Sequence, residues 1–292
     1  DFEMKKRGLD CVYLDISHKP EAFLKEHFPN IHARCMELGI DITKDPIPVV
    51  PAAHYTCGGI MTDLRARTDI HNLYAVGEVA HTGLHGANRL GASSLMQATG
   101  DGYFILPYTI TDFLADEIKT PMISTELKEF EEAENNVRNR LEKLISIKGT
   151  QTPTSFHKRL GKIMWDYSGM TRNEEGLKKA IVLIDELKEE FWKEVKVPGT
   201  ADELNQELEK AFRVADFFEL AKLMVLDGLN RKESCGAHFR EESQTESGEA
   251  KRDDASYSYV SAWEYKGENQ PPQLHKEELK FEFVELKVRD YK

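Results

Sequence analysis

Five residues in the stretch from Pro51 to Gly100 have types and spacings suited to anion and cofactor chemistry. Arg89 closes the compact run His85-Gly86-Ala87-Asn88-Arg89. A guanidinium is a planar fork that can grip a carboxylate through two parallel N–H···O bonds. His54 precedes Cys57-Gly58-Gly59, and its imidazole can donate a hydrogen bond while neutral and a stronger one when charged. Glu78 follows the apolar run Leu73-Tyr74-Ala75-Val76 and Gly77, so its acceptor-only carboxylate would sit at a strand end, in reach of ligand hydroxyls. Ser94 and Leu95 fall in the first turn of a small-residue helix predicted from about Ala92 to Tyr103, where free N–H groups and the positive end of the helix dipole point outward. Each has a plainer reading: an Arg paired with a structural acid, a packed or capping His, a helix-start acid, an ordinary helix start. His85 could assist the loop geometry, and Cys57 has no paired base for nucleophilic work.

The surrounding chain must position these groups. Residues 1–50 read as α+β. Cys11 to Ile16 has strand character, Ser17 to Leu38 reads as helix interrupted at Pro29 and stopped at Gly39, and Asp45-Pro46-Ile47-Pro48 is extended. Residues 51–118 hold the candidate site and end in a second apolar, helix-like run from Phe104 to Leu114. Residues 119–230 read as a bundle of four amphipathic helices with solvated charged faces. Leu127, Phe130, Val137, Leu141 and Leu144 mark the first, and Gly149 closes it. Thr152-Pro153 opens the second, with Phe156, Leu160, Ile163 and Met164 inward. The third spans about Asn173 to Val195, with Leu177, Ile181, Ile184 and Phe191 inward. Thr200 and Glu203 form a capping box for the fourth, which runs to about Leu229. In residues 231–292, Tyr257, Tyr259, Trp263 and Tyr265 predict a strand, as does the alternation Leu279, Phe281, Phe283, which changes phase to Val284, Leu286, Val288 and so predicts a bulge near Phe283.

Lysine plus arginine number 39 against 51 aspartate plus glutamate, a net charge of −12. That argues against a nucleic-acid surface and leaves no basic patch for anionic lipid. No apolar run approaches the roughly 20 residues needed to span a bilayer, so membrane association would come through a partner. Cys11, Cys35, Cys57 and Cys235 are widely spaced, without CxxC or a metal-ligand pattern, and read as reduced thiols in a cytosolic setting.

HYTCGG, LYAVGE and GLHGANRLGASSL, in this order, resemble the closing part of the FAD domain of the succinate dehydrogenase, fumarate reductase and L-aspartate oxidase flavoproteins. Residues 1–90, including DFEMKKRGLDCVYLDISHKP, are most similar to L-aspartate oxidase. From about Gly91 onward, LMQATGDGYFILPYTITDFLADEIKT, MWDYSGMTRNEEGL and RKESCGAHFREE look like a succinate dehydrogenase/fumarate reductase flavoprotein subunit. Recombination within GANRLGAS, or divergence within one family, would leave such a switch.

The resemblance implies an α/β plus all-α fold: the end of a capping domain over 1–50, the C-terminal part of a Rossmann-like FAD-binding domain over 51–118, a helical bundle over 119–230 and a β-rich extension over 231–292. It implies FAD as cofactor and a dicarboxylate as substrate, with Arg89 and His54 converging on one anion pocket beneath the flavin ring. Glu78 would bind flavin hydroxyls, and the Ser94 and Leu95 amides would face its pyrimidine edge. Arg240, Glu241, Arg252, Asp253 and Asp254 match the family's C-terminal pattern and read as a structural ion-pair network. No GxGxxG turn follows a strand, so the pyrophosphate loop, the catalytic arginine and any flavin-attachment histidine are expected upstream of Asp1. On that reading the chain is a C-terminal fragment, without a catalytic residue of its own, that neither holds FAD firmly nor turns over alone. The activity implied is succinate–fumarate interconversion through flavin N5. The alternatives are oxidation of L-aspartate to iminoaspartate and a non-catalytic module docking an iron–sulfur subunit. An iron–sulfur partner would hold the protein at the inner face of the cytoplasmic membrane.

Overall fold

Proline and glycine punctuate the first fifty residues as their backbone limits require. The computed structural model describes residues 1–201, 203–267 and 270–287 and divides the chain into two compact units, Asp1–His54 and Tyr55–Lys292. In the first unit α1 (Phe2–Arg7) ends at Gly8, which takes the left-handed φ of 64° that favours glycine. β1 (Val12–Leu14) follows, then α2 (Glu21–His27) and α3 (Pro29–Glu37). Pro29 separates the two helices by taking the first position of α3, where a missing N–H costs nothing. β2 (Ile47–Val49) pairs antiparallel with β1, placing Val12 opposite Val49 and Leu14 opposite Ile47. Met4, Leu24, Cys35 and Ile42 are buried.

The second unit opens with β3 (Ile60–Met61), which lies parallel to β4 (Ala80–His81). Between them Leu73–Val76 is no strand. Only Tyr74 bridges, to Arg67, and Gly77–Val79 forms a 3₁₀ turn. The apolar run therefore buries Ala75 inside an irregular loop rather than a sheet. α4 (Ser93–Gly100) passes through a π-helical turn at Asp101–Ile105 into α5 (Leu106–Glu117), so the two predicted helical runs are continuous. Thr109 Oγ1 ties α5 down by donating to the Arg65 carbonyl at 2.7 Å.

The bundle consists of α6 (Lys128–Ser146), α7 (Pro153–Ser168), α8 (Glu174–Glu194) and α9 (Gln206–Asn230), with the short β5 (Thr171–Arg172) between α7 and α8. Its core holds Leu144, Phe156, Leu160, Leu177, Ile184, Phe191, Leu208, Val214, Phe218 and Val225. Thr152 caps α7 by accepting from the Ser155 N–H, and Asn173 caps α8 by accepting from Gly176. Two expectations fail. Only the C-terminal half of α6 packs, and Leu127, Phe130 and Val137 stay exposed. Thr200 and Glu203 do not open the fourth helix: α9 begins three residues past Glu203, capped by Asn205, which accepts from Leu208 N and donates to the Pro198 and Thr200 carbonyls. An Asn that ties off the preceding loop while capping outcompetes a box that would cap only.

Beyond α9, β6 (Phe239–Arg240) lies parallel to β5. α10 (Asp254–Tyr257) leads to β7 (Tyr259–Glu264), antiparallel to β8 (Gln273–Glu278). The second predicted strand is displaced. β8 uses the polar run before Leu279, while residues 279–287 make no ladder and Phe283 is 93% exposed. No bulge forms at Phe283, because alternation without a neighbouring strand has nothing to pair with. Val288 lies outside the described residues.

Candidate functional site

The site-bearing loops are pinned by short-range geometry that only certain residues permit. Gly59 has φ 144°, and a Cβ there would lie 2.2 Å from the Val79 carbonyl oxygen, so glycine is what lets β3 close on β4. The same zipper brings the Thr56 amide to Glu78, whose Oε1 accepts at 2.9 Å. Glu78 itself is exposed, which leaves its second oxygen open to a ligand hydroxyl.

Arg89 is half-buried and stacks over the Tyr55 ring at 5.0 Å from its centroid. The edge of His85 meets that ring at 5.2 Å and 86°. Arg89 Nη1 donates weakly to the Leu90 carbonyl at 3.4 Å, and among the described residues no carboxylate pairs with the guanidinium. A stacked, unneutralised guanidinium is oriented but keeps most of its donors free. Tyr55 carries the electrical imprint of this corner. Its pKa is raised, by burial first and then by the Glu78 carboxylate, while Arg89 opposes the shift. Tyr55 is a site residue that the sequence did not single out; its position directly after His54 was the available signal.

Ser94 and Leu95 stand in the first turn of α4, as expected, with Leu95 73% exposed. The N-cap is Ala92 in the left-handed region at φ 66°, and no side chain caps the helix. The Ser93 N–H is taken by the Leu90 carbonyl at 3.2 Å, which leaves the Ser94 and Leu95 amides at the helix start without a side-chain cap. One turn on, Gln97 is buried. Its Nε2 donates to Thr82 Oγ1 at 3.3 Å, while among the described residues its Oε1 has no partner, and neither has the buried His85 Nε2. His54 is exposed and ends the first unit.

The ion-pair network expected of the C-terminal charged residues is only partly formed, since among the described residues Asp253 and Glu241 act through hydrogen bonds rather than ion pairs. Arg252 pairs with Asp254 through both carboxylate oxygens, Asp253 caps α10, and Asn173 donates to Glu241. Arg240 is 2% exposed and donates to the Gly228 carbonyl and to Glu242.

Comparison with known proteins bears on the family and the fold. Residues 2–95 match the family model described as FAD binding domain, and residues 157–291 match that of the fumarate reductase flavoprotein C-term. L-aspartate oxidase 1 of Ralstonia nicotianae is 43% identical over 242 residues, covering 82% of this chain and 41% of that protein. L-aspartate oxidase of Vibrio cholerae is 37% identical over the same length and shares. The likeness to L-aspartate oxidases thus runs well beyond residue 90. Among solved structures, the E. coli quinol fumarate reductase FrdA chain superposes with a TM-score of 0.81 at 29% identity, over 97% of this chain and 48% of that one. Mycobacterium smegmatis Sdh1 does so at 0.76 and 25%, over 94% and 44%.

The matched domains and the fold make the chain a flavoprotein of mixed helix-and-sheet architecture. It belongs to the succinate dehydrogenase/fumarate reductase family, is similar to the L-aspartate oxidases within it, and spans about two fifths of the length of the curated relatives it matches. FAD is the cofactor of the domain it matches. The residues present fit that group: an uncapped helix start suits an electron-rich ring edge, and the unpartnered Gln97 Oε1 and His85 Nε2 leave polar capacity unspent in the same stretch.

No helix among the described residues is long and apolar enough to cross a membrane.

Proposed function

We propose that this chain supplies the carboxylate-binding side and the helix-terminal edge of an FAD-dependent dicarboxylate oxidoreductase, with L-aspartate as the favoured substrate. The observation that carries the reading is Arg89, stacked on Tyr55 with no carboxylate partner among the described residues, next to the start of α4, which no side chain caps. Identity to L-aspartate oxidases of 43% and 37% favours aspartate. Likeness to the E. coli quinol fumarate reductase chain, at TM-score 0.81, supports succinate–fumarate interconversion as the second reading.

FAD, when bound, supplies the acceptor for the hydride equivalent. The chain's own residues do the positioning. Arg89 fixes one substrate carboxylate as a bidentate anchor, and His54 is a candidate carboxylate donor in its own right. Such anchoring replaces a bimolecular encounter with a held geometry. Ser94 and Leu95 would offer backbone N–H groups that favour negative charge on the bound cofactor, and the free oxygen of Glu78 would accept from its hydroxyls. An iron–sulfur partner is part of the second reading only.

Completing the chain with the upstream portion of an L-aspartate oxidase and assaying aspartate-dependent peroxide against succinate-dependent dye reduction tests this. Aspartate-dependent peroxide that falls steeply in Arg89→Lys is expected. Succinate-dependent dye reduction alone would replace the first reading with the second. Full activity of Arg89→Lys on both substrates would end the assignment of Arg89.

A further inference from the structure

A turn far downstream presses on the loop that carries Arg89. Residues Cys235 to His238 form a tight reversal closed by two main-chain bonds, Cys235 N to the His238 carbonyl at 2.9 Å and His238 N to the Cys235 carbonyl at 3.1 Å. At its tip Gly236 has φ 61°. A Cβ there would lie 2.4 Å from the Ala87 carbonyl oxygen and 2.8 Å from the Ala87 Cβ. The next amide, Ala237 N–H, donates to that same Ala87 oxygen at 3.4 Å. Ala87 is two residues before Arg89.

The turn is itself anchored in the bundle. His238 Nδ1 accepts from Arg172 Nη1 at 2.8 Å, and its Nε2 donates to the Arg231 carbonyl at 2.8 Å. Arg172 Nε is held by the Gly169 carbonyl at 2.7 Å. Directly after the turn β6 locks onto β5, with Phe239 N donating to the Met170 carbonyl and Glu241 N to the Arg172 carbonyl, both at 2.9 Å. The rigid bundle thus reaches the Arg89 loop through one four-residue turn.

We propose that Gly236 and His238 are positioning residues for Arg89: the turn they build and anchor braces Ala87 and so sets the direction of the guanidinium. The inference rests on Arg89 being the anion-binding residue proposed above, but the mechanical coupling is measurable without ligand, cofactor or turnover. The brace adds no contact to substrate. It removes freedom from a glycine-containing loop that would otherwise sample many conformations, the kind of support a precise site needs from the shell around it.

The test uses the 292-residue chain and two readouts: amide hydrogen exchange of the Leu84–Gly91 segment, and the Nε–H resonance of Arg89, assigned through Arg89→Lys. Gly236→Ala must either leave the left-handed region or push Ala87 away. Exchange in Leu84–Gly91 is expected to rise about tenfold and the Arg89 signal to shift, while α8 and α9 exchange stays at the wild-type rate. His238→Phe, which loses both anchoring bonds, should do the same. His238→Gln, which can still accept from Arg172 and donate to the Arg231 carbonyl, should restore most of the wild-type behaviour. Wild-type exchange and an unmoved Arg89 signal in both Gly236→Ala and His238→Phe would overturn the proposal. So would changes spread equally over α8 and α9, because the turn would then be stabilising the fold as a whole. Titrating succinate and L-aspartate against the wild-type Arg89 signal judges the anion-binding reading separately: no response there sinks that reading while leaving the coupling result standing.

Discussion

Acidification from about pH 7 to about pH 4 should strip the second unit of roughly 3 kcal/mol through one imidazole. His238 is pushed down from 6.5 to about 4, first by burial and then by the Arg172 guanidinium, with Arg240 adding to the fall. The Arg231 carbonyl and Asp227 pull the other way and lose. The geometry says why: the nitrogen that would take the proton already accepts from Arg172 at 2.8 Å, so a charged ring would set two cations against each other. The folded value lies below the unfolded one. The contribution is therefore complete above about pH 6.5 and disappears as pH falls to about 4, and the fall from 6.5 to about 4 corresponds to roughly 3 kcal/mol at 1.36 kcal/mol per pH unit. Urea unfolding followed by tryptophan emission, with Trp263 reporting from its bond to Asp227, measures it at a series of pH values. His238→Gln removes the titrating group. Its midpoint should vary less between pH 6.5 and pH 4 than that of the wild type, and the difference between the two curves isolates the histidine. Carboxylates held below their usual range, such as Glu242, Asp254 and Glu174, contribute the same acid slope to both proteins and cancel. Parallel curves for wild type and variant, or a wild type more stable at pH 5 than at pH 7, would refute the reasoning.

Two further outcomes follow from packing and capping. Tyr55→Leu removes the ring under Arg89 but keeps an apolar filler, so dicarboxylate affinity of the completed protein should fall by a factor of roughly 2–5, the worth of an exposed cation–π contact of about 0.5–1 kcal/mol; a calorimetric titration matching wild type would show that the platform is idle. Asn205→Ala should lower unfolding free energy by about 1 kcal/mol or somewhat more, since the cap and two loop bonds go together, whereas Glu203→Ala should change it by less than about 0.5 kcal/mol, and the reverse order in chemical denaturation would restore the capping box.

Much of the site was legible because its chemistry is contiguous. Arg89, His85 and Gly86 between them sit in one short run, and the flavoprotein motifs follow one another in order. The helices of the bundle were legible for the same reason: caps such as Thr152 and Asn173 act within three residues. What was missed depends on distant neighbours or on unusual backbone. Nothing in Ala92 announces a left-handed cap, because alanine rarely adopts one. Tyr55 reads as a filler until Arg89 is placed above it. Gly236 is one glycine among many until Ala87 appears against it. The aromatic alternation from Leu279 to Phe283 was a sound strand pattern that found no neighbour, whereas the polar Gln273–Glu278 did, opposite Tyr259–Glu264.

The contact between Gly236 and Ala87 also has a temporal side. The loop bearing Arg89 leaves the ribosome well before the residues that press against it, with the four bundle helices made in between. Early in synthesis that loop has no backstop, and it gains one only when β6 has zipped onto β5. A nascent chain halted after α9 would carry the whole bundle core and still lack the turn that braces Ala87.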